Sequence, residues 1–234
     1  MRSTLKAFGA KYPDRGETPM AVRIRDVKIP VGEIFLEAKL GCDEKISTGP
    51  GVVICHPHPR FGGSMENNVV WALCDAFVER GYVAVAFNFR GVGSSGGRHE
   101  DGEGEILDVL GVLDWLEALP ETKGFGLGVL GYSFGAWVGL RAAVRDARVC
   151  CVGAVAPPLA MYSFSFLKDL GAPLFVVSGG QDAFCPSDGK EALCSELPNE
   201  VNWKILEGGD HFFWNCEKEA AGYLVDGFGR HLSP

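Results

Sequence analysis

The chain has 234 residues, is 47% hydrophobic and carries a formal net charge of −8. That length suffices for one full core, and no apolar run approaches the roughly 20 residues a membrane span needs, so no membrane partner is expected. An acidic surface repels phosphate backbones, which excludes nucleic acid as an expected partner.

In chain order, residues 1–19 lack the apolar core of a secretory signal. They read as an N-terminal arm ahead of a single domain over 20–234. The expected compartment is therefore the cytoplasm, where the eight cysteines stay reduced. Cys55, Cys150 and Cys151 sit in strand-like runs and Cys74 on a helix-like one, and no CxxC pair points to zinc. "AVRIRDVKI" (21–29) and "EIFLEAKL" (33–40) interleave polar and apolar residues, which predicts two antiparallel strands at a half-covered edge. "GVVIC" (51–55), "YVAVAFNF" (82–89), "GLGVLGY" (126–132), "VCCVGAVA" (149–156), "PLFVVSG" (173–179) and "VNWKIL" (201–206) read as the remaining strands. Helices are predicted over 66–80, 105–119, 134–146, around 188–197 and over 214–231, with Gly81 and Pro120 as stops. Strands alternating with helices predict an α/β fold. Its sheet is mainly parallel and covered on both faces, with the chemistry at the carboxyl ends of the strands.

Within that frame, Gly131-Tyr132-Ser133-Phe134-Gly135 follows a strand and opens a helix, the arrangement of a nucleophile elbow. Its glycines let strand and helix approach closely while a strained turn holds the serine hydroxyl out. The Phe134 N–H, in the first helical turn, is a candidate oxyanion donor. A serine nucleophile needs a base, and the base needs an orienting acid. His211 follows the last predicted strand, in "LEGGDHFF", and Asp182 follows the preceding one, in "SGGQDAFCP". The order Ser133, Asp182, His211 is that of α/β-hydrolases. Asp188, at a predicted helix start, and Asp210, beside His211, are the competing acids. "ICHPHPRFGG" (54–63) reads as a rigid loop supplying the second oxyanion donor. Pro57 and Pro59 have no N–H, which leaves His58 or Arg60, with His58 preferred. The His56/His58 pair has no further ligand nearby, so no metal is expected. "GVGSSG" (91–96) matches a dinucleotide fingerprint, but a charged, Gly-rich stretch follows it instead of a helix. It reads as a loop beside the elbow, and no cofactor is expected.

The segments "HPHPRFGGSMENNVV", "FNFRGVGSSGG" with "DGEGE", "GYSFG" and "GGDHFF" together resemble those of a small, lidless group of predicted serine hydrolases in the α/β-hydrolase superfamily. The resemblance covers about residues 20–232 and implies Ser133, Asp182 and His211 as the catalytic triad. One departure is Cys185 in "GGQDAFCP", where a valine-like residue is usual; it is expected to affect substrate shape.

The interval "PPLAMYSFSFLKDLGAP" (157–173) has room for one short helix and no large lid. Tyr162, with Phe61 and Phe212, is expected to line an apolar pocket, to which Phe164, Phe166 and Met65 are further candidates, while core packing is expected for at least two of Tyr162, Phe164 and Phe166. Such a pocket suits a small-molecule carboxylic ester of short or medium acyl chain. A thioesterase, acyltransferase or peptidase would use the same triad, and a non-catalytic binding protein could keep the same fold. The expected oligomeric state is a monomer or homodimer.

Overall fold

A computed structural model of the protein describes residues 22–43, 48–197 and 201–232. The expected arm at 1–19 lies outside these residues. Eight strands of the described residues form one sheet: β1 (Val22–Val31), β2 (Ile34–Asp43), β3 (Gly51–Cys55), β4 (Val83–Phe87), β5 (Leu127–Tyr132), β6 (Val149–Val155), β7 (Leu174–Gly179) and β8 (Val201–Leu206). Their spatial order is β1-β2-β4-β3-β5-β6-β7-β8. β2 runs antiparallel to both β1 and β4, and every pairing from β4 onward is parallel. The expected antiparallel edge and parallel body are therefore both present.

Among the described residues, five α-helices cover the sheet: α1 (Asn68–Val78), α2 (Glu103–Glu117), α3 (Phe134–Val144), α4 (Ser187–Glu196) and α5 (Glu217–Phe228). β3 and β4 are apolar at every position except Gly51 and buried throughout, because helices pack on both faces. One core layer joins the sheet to α2 and α3 through Ile106, Val109, Leu113 and Val138. The other joins it to α1 and α5 through Leu73, Phe77, Leu224 and Phe228. The interval after β6 forms only a short 3-10 turn, Ser165–Asp169. Phe164 is buried there, and Phe166 is half-buried against the core. Among the described residues, no helix is long and apolar enough to cross a membrane.

The sheet order reverses at β3, which pairs with β4 on one side and β5 on the other. Chains leaving β3 and β5 at this switch point diverge to opposite faces and open a crevice between them. The loop from His56 and the elbow at Ser133 both begin there, since Cys55 is in register with Gly131.

Candidate active site

Ser133 sits at φ 55° and ψ −119°, a left-handed backbone position rare for a residue with a Cβ. Its neighbours explain how the turn closes. A Cβ on Gly131 would lie 2.3 Å from the Gly135 carbonyl oxygen, and one on Gly135 would lie 2.4 Å from that of Cys55. Only glycine permits both approaches, so the start of α3 is pressed against the end of β3.

The three residues expected as a triad meet here. Ser133 Oγ lies 3.0 Å from His211 Nε2, and His211 Nδ1 lies 2.9 Å from Asp182 Oδ2. A carboxylate only accepts, so Nδ1–H donates to Asp182 and the Nε2 lone pair faces the serine hydroxyl. Asp182 has a fully buried side chain, and its Oδ1 accepts the N–H groups of Phe184 (2.8 Å) and Cys185 (3.3 Å). Asp210 and Asp188 are engaged locally, with the N–H groups of Phe212 and Gly189. Tyr132, buried directly before the serine, donates its hydroxyl to the His211 carbonyl at 2.7 Å and ties the histidine loop to the elbow. Burial and the charges of Asp182 and Asp210 push its phenol well above the usual value.

The loop after β3 is organised by a buried histidine. His56 is fully buried, and its Nε2 accepts the Phe89 N–H at 3.1 Å. Nδ1 therefore carries the proton, and it donates to the Pro57 carbonyl at 2.6 Å. Burial lowers the His56 pKa to about 4, which keeps this ring neutral. In a trans peptide the carbonyl and the next N–H point in opposite directions. Turning the Pro57 carbonyl onto His56 therefore turns the His58 N–H away from it. Neither that N–H nor the Phe134 N–H has a hydrogen-bond partner among the described residues. The Arg60 N–H, by contrast, is taken by His58 Nδ1 at 3.1 Å. Both histidines of the HxH pair thus serve the loop, and among the described residues no cluster of His, Cys, Asp and Glu could hold a metal.

The "GVGSSG" loop is held beside the elbow by carboxylates. Glu37 accepts from the Asn88 amide and the Ser94 N–H, both at 2.8 Å. Glu105 is buried and accepts from the Glu100 and Gly102 N–H groups and from His99 Nδ1. Arg90 reaches the fully buried Asp108 through its main chain, Nε and Nη2. Asp108→Ala leaves that guanidinium without its buried partner. A loss of about 3–5 kcal/mol is expected. Thermal melting would read it as a fall in Tm on the order of 10 °C for a chain of this size.

Of the expected pocket residues, Phe61 is 80% exposed and packs edge-on to His58, and Phe212 is 55% exposed beside His211. Tyr162 stacks on Trp137 at 4.4 Å and reaches Phe134 edge-on. Met65 is buried, with its N–H on Asn88, and does not line the site. Cys185 is also buried: its main chain serves Asp182, and burial pushes its thiol up to about 12. It is a packing residue, which corrects the expectation that it shapes the substrate space. The sequence reading missed Phe184, Tyr132 and the carboxylates around Arg90. Phe184 carried a usable signal in its place within the turn of Asp182.

A mainly parallel sheet with an antiparallel edge and a switch-point crevice that carries a strained serine elbow define an α/β-hydrolase, and the protein is a hydrolase of that superfamily. Within it, the chain belongs to the family described as X-Pro dipeptidyl-peptidase (S15 family), which it matches over residues 52–175. It is similar to an α/β serine hydrolase homologue from Coxiella burnetii, at 32% identity and a TM-score of 0.79, over 93% of this chain and 99% of that one. It is also similar to a lidless α/β serine hydrolase from Xanthomonas campestris, at 30% identity and a TM-score of 0.77, over 94% and 99% of the two chains. A Rickettsia prowazekii protein is 36% identical over 172 residues, 70% of this chain and 72% of that one.

Proposed function

We propose that the protein cleaves carboxylic esters of small or medium acyl chain through an acyl-enzyme on Ser133. The observation that carries this reading is the unbroken relay from Ser133 Oγ to His211 Nε2, and from His211 Nδ1 to Asp182. His211 takes the hydroxyl proton as Ser133 attacks the carbonyl carbon. Asp182 holds the imidazole in the tautomer that can accept it and stabilises the imidazolium formed. The N–H groups of Phe134 and His58 receive the developing oxyanion. His211 then returns its proton to the departing alcohol, and water activated by the same ring releases the acid.

The family description favours a peptidase as the second reading. A dipeptidyl-peptidase must hold a free ammonium, which calls for an available carboxylate near the serine. Asp101, in the loop beside the elbow, is engaged by Arg60 at 3.1 Å and faces His99 Nε2 at 3.2 Å. That pairing and the exposed rings of Phe61 and Phe212 support an apolar ester over a charged peptide end.

The test is incubation with a small alkyl fluorophosphonate and measurement of the intact mass. One adduct per chain, absent from Ser133→Ala, is the expected result. An unlabelled wild type would refute the proposal and favour a binding protein of the same fold.

A further inference from the structure

The relay uses the imidazole of His211, yet two aromatic rings beside it have no part in the proton transfers. The Phe184 ring is 40% exposed, with its centroid 4.7 Å from that of His211 at an interplanar angle of 57°. The Phe212 ring is 55% exposed, 5.9 Å away at 83°. Their main chains are pinned by the turns that carry the acid and the base. The Phe184 N–H donates to Asp182 Oδ1, and its carbonyl accepts the Ala160 N–H at 3.0 Å. The Phe212 N–H donates to Asp210 Oδ1 at 2.9 Å, and Asn68 Nδ2 donates to its carbonyl at 3.4 Å. Two rings held in place and left facing water present apolar area that a bound apolar group would cover.

The chemistry fixes which part of an ester lies there. The bond from Ser133 Oγ to the acyl carbon forms, and the bond from that carbon to the alkoxy oxygen breaks. The proton that His211 Nε2 took from Ser133 passes to the departing oxygen, so this oxygen must come within hydrogen-bond reach of Nε2. The carbonyl oxygen is meanwhile directed to Phe134 and His58. The alcohol half therefore lies over the His211 ring, between Phe184 and Phe212, and the acyl half points away from them.

We infer that Phe184 and Phe212 form the leaving-group subsite, and that the preferred substrates are esters of apolar, ring-bearing alcohols. This rests on the ester-cleaving reading above. The two rings act as specificity residues, because they contact the alcohol and exchange no proton with it.

Two isomeric esters isolate the claim. Benzyl acetate carries its ring on the alcohol, methyl phenylacetate carries it on the acyl group, and their alcohols are of nearly equal acidity. Wild-type kcat/KM is expected to favour benzyl acetate by about tenfold or more, the scale of one apolar group in a fitted pocket. In the Phe184→Ala/Phe212→Ala double variant that ratio is expected to fall toward one. The Phe184→Leu/Phe212→Leu variant, which keeps apolar volume, should hold an intermediate ratio. Fluorophosphonate labelling of each variant reports whether its site is assembled, and the leucine pair carries the test if the alanine pair fails to label. An adduct on wild type with no preference for benzyl acetate overturns this inference alone, as does a ratio unchanged in labelled variants. Absence of both turnover and adduct on wild type overturns the ester-cleaving reading and this inference with it.

Discussion

Ser133→Ala is expected to lower kcat for ester hydrolysis on the order of a million-fold, the scale seen when the nucleophile of such a relay is removed. The fold should survive, because among the described residues the hydroxyl bonds only to His211 and alanine meets the same positive φ that serine already tolerates. Asp182→Asn is expected to cost about ten-thousand-fold, for a reason visible in the hydrogen bonds. Asp182 Oδ1 accepts two backbone N–H groups, from Phe184 and Cys185. An asparagine must keep its carbonyl oxygen there and so present its NH2 to His211 Nδ1. That nitrogen must then accept, the ring proton moves to Nε2, and the base can no longer take the serine proton. Steady-state rates with p-nitrophenyl acetate, with far-ultraviolet circular dichroism as the fold control, check both variants. A Ser133→Ala protein that kept most of the rate would remove the serine from the chemistry. An unimpaired Asp182→Asn would move the acid role to Asp210 or Asp188.

The parts of this molecule readable from sequence are those whose cause is local. β3 and β4 announce themselves as short apolar runs, and the elbow by two glycines that the approach of β3 and α3 makes necessary. Helix boundaries shift where caps decide them. α1 begins at Asn68, not 66, because the Asn67 side chain accepts the Val69 N–H. α5 begins at Glu217, not 214, because Phe213 and Asn215 both take left-handed conformations that no glycine signals. What the sequence hides are contacts between distant segments. Arg90 with Asp108, Tyr132 with the His211 carbonyl and His56 with Phe89 join residues 18, 79 and 33 positions apart. Each is a satisfied buried polar group, and periodicity carries no record of which partner satisfies it. The assignment of Ser133, Asp182 and His211 came from chain order and strand ends, and distances of 2.9–3.0 Å now accompany it.

His56→Leu is expected to lower kcat by about 100- to 1,000-fold with KM little changed, although His56 touches neither the serine nor its base. Among the described residues its Nδ1–H is the only side-chain donor to the Pro57 carbonyl, and that bond sets the direction of the His58 N–H. Without it the peptide is free to turn, and the cost is that of one oxyanion donor. Leucine also strands the Phe89 N–H, at about 1–3 kcal/mol of stability. His56→Asn, whose amide can both accept and donate, should recover part of each loss, which a simple packing role would not predict. The same residue gives stability a pH dependence. The unfolded ring binds a proton below about 6.5, its ordinary value, whereas the buried ring stays neutral until about pH 4. Between those limits the unfolded state holds more protons, so stability falls as pH falls, by roughly 3 kcal/mol across the window. Urea denaturation from pH 7 to pH 4 should reveal that slope in wild type and a shallower one in His56→Asn. Equal slopes in the two proteins would mean that His56 is not the buried neutral group, and the orientation of the His58 N–H would need another cause.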